Sequence, residues 1–148
     1  MNINIRFANK NDIPVLTYLH IKLLEIEGIK LRDEKNINWA FNEIINSQNT
    51  YIFLIEYCEN IVGMCTLHTL ISSVEGGLVG LIEDVYVDEK YRKKSLGLSL
   101  IKEVESFCKT NNYKRLQLLC RNDNIRAIKF YEKLGFIGIN RVYFYKTL

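Results

Sequence analysis

Apolar residues along this chain fall into two alternating rhythms, one of strands and one of helices. Ile3, Ile5 and Phe7 alternate with polar residues, as in a strand. Asn11-Asp12-Ile13-Pro14 supplies an N-cap and an early-turn proline, which together open a helix. Its apolar stripe, Ile13, Leu16, Leu19, Leu23 and Leu24, stops before Gly28. A second helix is predicted from near Asp33, with Ile37, Phe41, Ile44 and Ile45 on one face. Thr50–Cys58 and Ile61–Ser72 read as strands joined across the short turn Glu59-Asn60. Gly76-Gly77 then turns the chain into a third long strand, Leu78–Val87.

Leu96–Lys109 carries a clear helical stripe of Leu96, Leu100, Val104, Phe107 and Cys108. Leu116–Cys120 is a nearly continuous apolar run, as expected of a buried strand. Asn122–Leu134 is predicted as a fourth helix, closed by Gly135 with Phe136 folding back onto the last turn. The tail, with Val142 and Phe144 among aromatic neighbours, predicts one or two final strands. The order β-α-α-β-β-β-α-β-α-β(-β), with no internal repeat, is that of a mixed α/β domain on one central sheet.

Composition narrows the class without naming a function. The 148 residues suffice for one core, and a single proline with no Ser/Gly/Pro-rich tract marks no linker, so residues 1–148 read as one domain. A net charge of +3 is too mild to argue for a nucleic-acid partner. The N-terminus MNINIRFANKND carries charge where a signal peptide needs an apolar core, and no apolar run is long enough to span a bilayer. A soluble cytoplasmic protein without membrane contact is expected. Cys58, Cys65, Cys108 and Cys120 lack metal-ligand spacing and lie in apolar stretches, so reduced, buried thiols and no metal are expected. His20 and His68 each stand alone and read as structural or exposed; Trp39 and Phe41 read as mostly core.

The chemistry concentrates where the strand ending at Val87 runs through a basic turn into the helix beginning at Leu96. The first N–H groups of a helix have no internal partners and its dipole is positive there, so the end is an anion site in waiting. Arg92, Lys93 and Lys94 add full charges, and successive turn amides can form a nest. From spacing alone, a charged surface turn before a helix is the simpler reading of the same segment. No Walker lysine pattern and no G-x-G-x-x-G after a strand is present.

Arg92-x-x-Ser95-x-Gly97, with Leu100 beyond it, resembles the R/Q-x-x-G-x-G/A signature of the GNAT superfamily of N-acetyltransferases. Glu83-Asp84-Val85-Tyr86-Val87 resembles the strand before that signature. Asn124-x-x-Ala127-x-x-Phe130-Tyr131-Glu132-Lys133-x-Gly135-Phe136 resembles the superfamily's second motif, and the element order agrees across essentially the whole chain. The departure is Ser95, which stands where the signature has its first glycine. If that position needs φ > 0, a non-glycine residue costs roughly 1 kcal/mol.

The resemblance implies a mixed, mostly antiparallel sheet flanked by about four helices, and acetyl-CoA as co-substrate. It implies that backbone groups of Val85 and Val87 pair with the pantetheine arm. It also implies that the segment Arg92, Lys93, Lys94, Ser95, Leu96, Gly97 and Leu98 holds the pyrophosphate, and that Asn124 contacts the cofactor near its thiol. Arg126 and Lys129 could face the 3′-phosphate, although a solvated helix face is the simpler account. Glu83 is the candidate base: strand alternation places it with Val85 and Val87, and partial burial would raise its pKa. A structural carboxylate or an ammonium anchor fits Glu83 as well, while Asp84 should point to the opposite face. Tyr131 is the candidate general acid for the departing thiolate. Glu25, Glu27 and Trp39 lie where the family builds its acceptor wall. The expected acceptor is a primary amine of a small cationic molecule, with no nucleic acid and with a homodimer compatible. The alternatives are a protein N-terminal or lysine acetyltransferase, and a non-catalytic acyl-CoA-binding regulatory module.

Overall fold

The computed structural model describes residues 2–30 and 33–148. The chain divides into two compact units, 1–118 and 119–148. The first holds one five-stranded sheet in the order β1 (Ile3–Phe7), β2 (Thr50–Tyr57), β3 (Asn60–Ser72), β4 (Gly77–Val87) and β5 (Arg115–Leu118). The first four strands are antiparallel neighbours, and β5 runs parallel to β4. A parallel neighbour requires a crossover, which α3 (Leu96–Thr110) supplies.

Helix α1 (Ile13–Glu27) starts from a different cap than the sequence suggests. Asn9 caps a short 3-10 turn, and the Asp12 carboxylate returns to the Asn9 N–H at 2.7 Å, completing a capping box ahead of Pro14. The helix ends at Gly28, whose φ of 67° allows Ile29 N–H to reach the Leu24 carbonyl at 2.9 Å. Asp33 caps α2 (Glu34–Asn46), as its position predicts. Leu16, Leu19 and Phe41 from these helices bury against Ile52, Leu54, Met64 and Tyr86 of the sheet. The other face packs on α3: Phe107 meets Phe53 at 5.6 Å, and Leu100, Val104 and Cys108 are buried.

In the second unit, α4 (Ile125–Lys133) closes as predicted. Gly135 has a φ of 87°, and Phe136 N–H bonds the Tyr131 carbonyl at 3.0 Å. The predicted final strands do not form: residues 136–148 have no helix or strand. Alternation marks a face, but a strand exists only through a ladder partner, which periodicity cannot supply.

Three further expectations are corrected. The run Leu116–Cys120 is strand only to Leu118, and Leu119 and Cys120 are exposed. Cys58 is exposed as well, because Cys58 and Glu59, at φ 49° and 67°, form the two central positions of the β2–β3 turn. Trp39 is 66% exposed, since it falls off the stripe that buries Phe41. The two cysteines that are buried, Cys65 and Cys108, have thiols pushed up by desolvation, Cys108 to about 11. That is the reverse of what a nucleophilic thiolate needs.

Candidate functional site

Strand β4 carries one irregularity, and it reorganises the site. Between Thr66↔Glu83 and Met64↔Tyr86 the partner strand advances by two residues and β4 by three. The extra residue is a bulge, and Asp84 occupies it at φ 52°. Gly63 permits the close approach just beyond: a Cβ there would sit 2.6 Å from the Tyr86 carbonyl oxygen.

The bulge overturns the alternation expected for the two carboxylates. Thr66 and His68 lie two apart on β3 and share a face. Glu83 reaches His68, with Oε2 at 3.0 Å from Nε2. Asp84 reaches Thr66, whose hydroxyl donates to Oδ2 at 3.2 Å. Both carboxylates therefore stand on the α1 and α2 face. Val87 pairs with Gly63 on the opposite face, so Glu83 does not share a face with it. Glu83 is also not buried as expected; its side chain is 49% exposed, because it sits beside the bulge rather than beneath a helix.

Neither histidine stands alone, contrary to the simple expectation from sequence. His20 of α1 brings Nδ1 to 3.4 Å from Asp84 Oδ1, and its ring meets Phe41 edge-on. His68 pairs with Glu83, and its Nδ1 lies 3.5 Å from the Thr50 hydroxyl. These contacts join residues 15 to 64 positions apart in sequence, so no local signal could have revealed them. Among the described residues no group of three such side chains is placed to hold a metal ion.

The β5 ladder along β4 ends at Ile82↔Leu118. From Glu83 to Val87, β3 is the one strand that pairs with β4 among the described residues, and a strand edge of this kind can accept an extended partner. The Val87 carbonyl on this segment already accepts from Arg92 Nε at 3.2 Å. Arg92 Nη1 bonds Glu89 at 2.7 Å, so this guanidinium braces the turn. Lys94 lies over the Tyr57 ring, 5.3 Å from its centroid.

The turn itself alternates handedness. Arg92 has a φ of −63°, Lys93 of 63° and Ser95 of 59°, after which the helical residues of α3 begin. Such alternation turns successive N–H groups toward one point, which is the geometry of an anion nest. Ser99 is the first residue to bond back, its N–H meeting the Ser95 carbonyl at 3.0 Å. The N–H groups of Lys93 to Leu98 have no main-chain acceptor among the described residues. Lys93, Lys94, Ser95, Leu96, Gly97 and Leu98 thus form one concave end at the start of α3.

Ser95 occupies the left-handed region in which a glycine would be unstrained. Ser95→Gly relieves that strain but loosens the unfolded chain, so a gain of at most about 1 kcal/mol is expected in thermal unfolding. Calorimetric titration should show coenzyme A affinity preserved or tightened. A marked loss would show that the hydroxyl itself contacts a phosphate.

Asn124 and Tyr131 belong to the second unit. The Asn124 carboxamide oxygen caps α4, accepting from Ala127 N–H at 3.1 Å. Tyr131 packs its ring between Phe130 and Phe136, at 5.2 and 5.7 Å. Arg126 and Lys129 are exposed on α4.

The profile of the Acetyltransferase (GNAT) family matches residues 18–136. An uncharacterized N-acetyltransferase of Methanocaldococcus jannaschii is 25% identical over 89% of this chain and 59% of its own length. The chain spans about three-fifths of the length of the curated relatives it matches. A predicted acetyltransferase from Clostridium acetobutylicum, solved with acetyl-CoA, superposes with a TM-score of 0.83 at 18% identity, covering 98% of this chain and 96% of that one. An aminoglycoside acetyltransferase from an uncultured soil metagenomic sample, solved with sisomicin, gives 0.82 at 21% identity, covering 99% and 96%. At these identities the structures speak for the fold alone. With a strand edge running into an amide nest, and with the family profile covering both motifs, this chain belongs to the Acetyltransferase (GNAT) family.

Proposed function

We propose that this protein is an N-acetyltransferase that moves an acetyl group from acetyl-CoA to a primary amine of a small cationic molecule. The observation that carries this is the course of β4. Its edge from Glu83 to Val87, which carries no strand beyond β3 among the described residues, leads through the short 3-10 turn Glu89–Tyr91 into the alternating turn at Lys93–Ser95. An extended pantetheine arm suits the edge, and a pyrophosphate suits the nest and helix end. Val85 and Val87 contribute the edge, and Lys93 to Leu98 contribute the amides. Arg92 acts by holding the turn in shape. Asn124 retains the cofactor role implied by the family motif, with its amide nitrogen, since the oxygen caps α4.

The acceptor nitrogen attacks the thioester carbonyl; the N–C bond forms, the C–S bond breaks, and the amine loses a proton. Glu83 takes that proton and Tyr131 returns one to the thiolate. Two carboxylates on one sheet face favour an ammonium-bearing acceptor. Residues 1–148 would act as one domain in the cytoplasm; no helix among the described residues is long and apolar enough to cross a membrane.

Release of free thiol from acetyl-CoA across a panel of polyamines, aminoglycosides, amino-acid derivatives and peptides tests the proposal. Turnover with small cationic amines is expected. Turnover with peptides alone would assign a protein acetyltransferase. Coenzyme A binding without any turnover would assign a non-catalytic acyl-CoA-binding module. Tyr131→Phe is expected to lower kcat at least tenfold, by removing the proton donor, with coenzyme A affinity unchanged. Wild-type kcat in that variant would remove Tyr131 from the mechanism.

A further inference from the structure

We propose that His68 is a positioning residue for Glu83, one that sets the direction of this carboxylate. The inference rests on the assignment of Glu83 as the base. Glu83 is half exposed at a bulge, on a strand segment with one neighbour, so nothing in its burial fixes its rotamer. The one described contact to its carboxylate is His68 Nε2 at 3.0 Å from Oε2. An ionised carboxylate only accepts, so in neutral His68 the single ring proton resides on Nε2 and points at Glu83. The other nitrogen, Nδ1, is then the acceptor, and the Thr50 hydroxyl lies 3.5 Å away on β2, directly opposite His68 in the ladder. This Thr50–His68–Glu83 series occupies Oε2 and leaves Oε1 for the acceptor nitrogen.

The experiment compares wild type, His68→Ala and His68→Gln in thiol release from acetyl-CoA with one accepted amine, kcat and KM being read separately. Titration with coenzyme A and thermal unfolding are run on each. His68→Ala is expected to lower kcat about tenfold with coenzyme A affinity intact, as losses of orienting partners do. His68→Gln keeps a donor for Oε2 and should recover most of kcat. Wild-type kcat in the Ala variant or no recovery in the Gln variant overturns the proposal. If His68→Ala does not fold, His68→Leu, which fills the space but offers no donor, takes its place, and wild-type kcat in that variant overturns the proposal as well. Failure of the enzyme reading is seen separately, as wild-type protein that binds coenzyme A and releases no thiol, and it removes this proposal too.

Discussion

Glu83→Gln lowers kcat about 100-fold with an accepted amine while coenzyme A affinity stays at its wild-type value, if Glu83 is the base. The substitution keeps the size of the side chain and an oxygen for His68 Nε2, 3.0 Å away in the parent, but the amide cannot take a proton. An alkylamine is mostly protonated at neutral pH, with a pKa near ~10, so loss of the acceptor for its proton falls on the chemical step. A role as ammonium anchor predicts a different signature, a raised KM for the amine with kcat retained. A purely structural role predicts neither, and shows instead as lowered thermal stability. Steady-state kinetics with the amine as varied substrate separates the three. The regular ladder places Glu83 opposite Thr66, on the face of His68, and the bulge at Asp84 then turns Val87 to the other face.

Asp12→Ala is expected to destabilise the fold by about 3 kcal/mol, lowering Tm by roughly 6–12 °C. The Asp12 side chain is only 8% exposed and accepts three bonds. Arg6 Nη1 and Nη2 donate at 2.8 and 2.9 Å, and Asn9 N–H donates at 2.7 Å. Removing the carboxylate leaves part of a guanidinium and a helix-entry amide unpaired at the junction of β1 and α1. Arg6 keeps Glu56 at 2.7 Å and some solvent, which places the cost at the lower end for a broken buried pair.

The pH dependence has a defined sign. Hydrogen bonds from Arg6 hold Asp12 below the usual carboxylate range, and bonds from Asn4 and Arg6 do the same for Glu56. A carboxylate with a depressed folded-state pKa stabilises above its unfolded value, near ~4, and loses that contribution as pH falls through the folded value. The stability gap between wild type and Asp12→Ala should therefore be widest at neutral pH and close on acidification below about 4. Chemical denaturation at several pH values reads it directly. A gap independent of pH would show that packing at the helix entry, not the charge, is what Asp12 supplies.

The helices were legible because their signals are local. The stripe from Leu96 to Cys108, the Gly28 and Gly135 terminators and the Asp33 cap each act within a turn or two of themselves. The anion turn was legible for the same reason, since the left-handed backbone at Ser95 is a property of three or four consecutive residues. The bulge was not. Aspartate is an ordinary strand-edge residue, and nothing in Glu83-Asp84-Val85 says that one position will be left without a partner on β3. A single extra residue then reverses which side chains share a face.

By itself, then, the amino-acid sequence determined the mixed α/β order, the helix stops at Gly28 and Gly135 and the basic turn from Arg92 to Gly97, because near-neighbour sterics and hydrogen bonds decide all three. Tertiary structure alone decided what surrounds Glu83 and Asp84. Their partners His68, Thr66 and His20 come from other elements, brought close only when β3 and α1 pack on β4. It also decided that the alternating tail, Val142 to Phe144, remains without a strand, since a ladder is a relation between two segments and not a property of one.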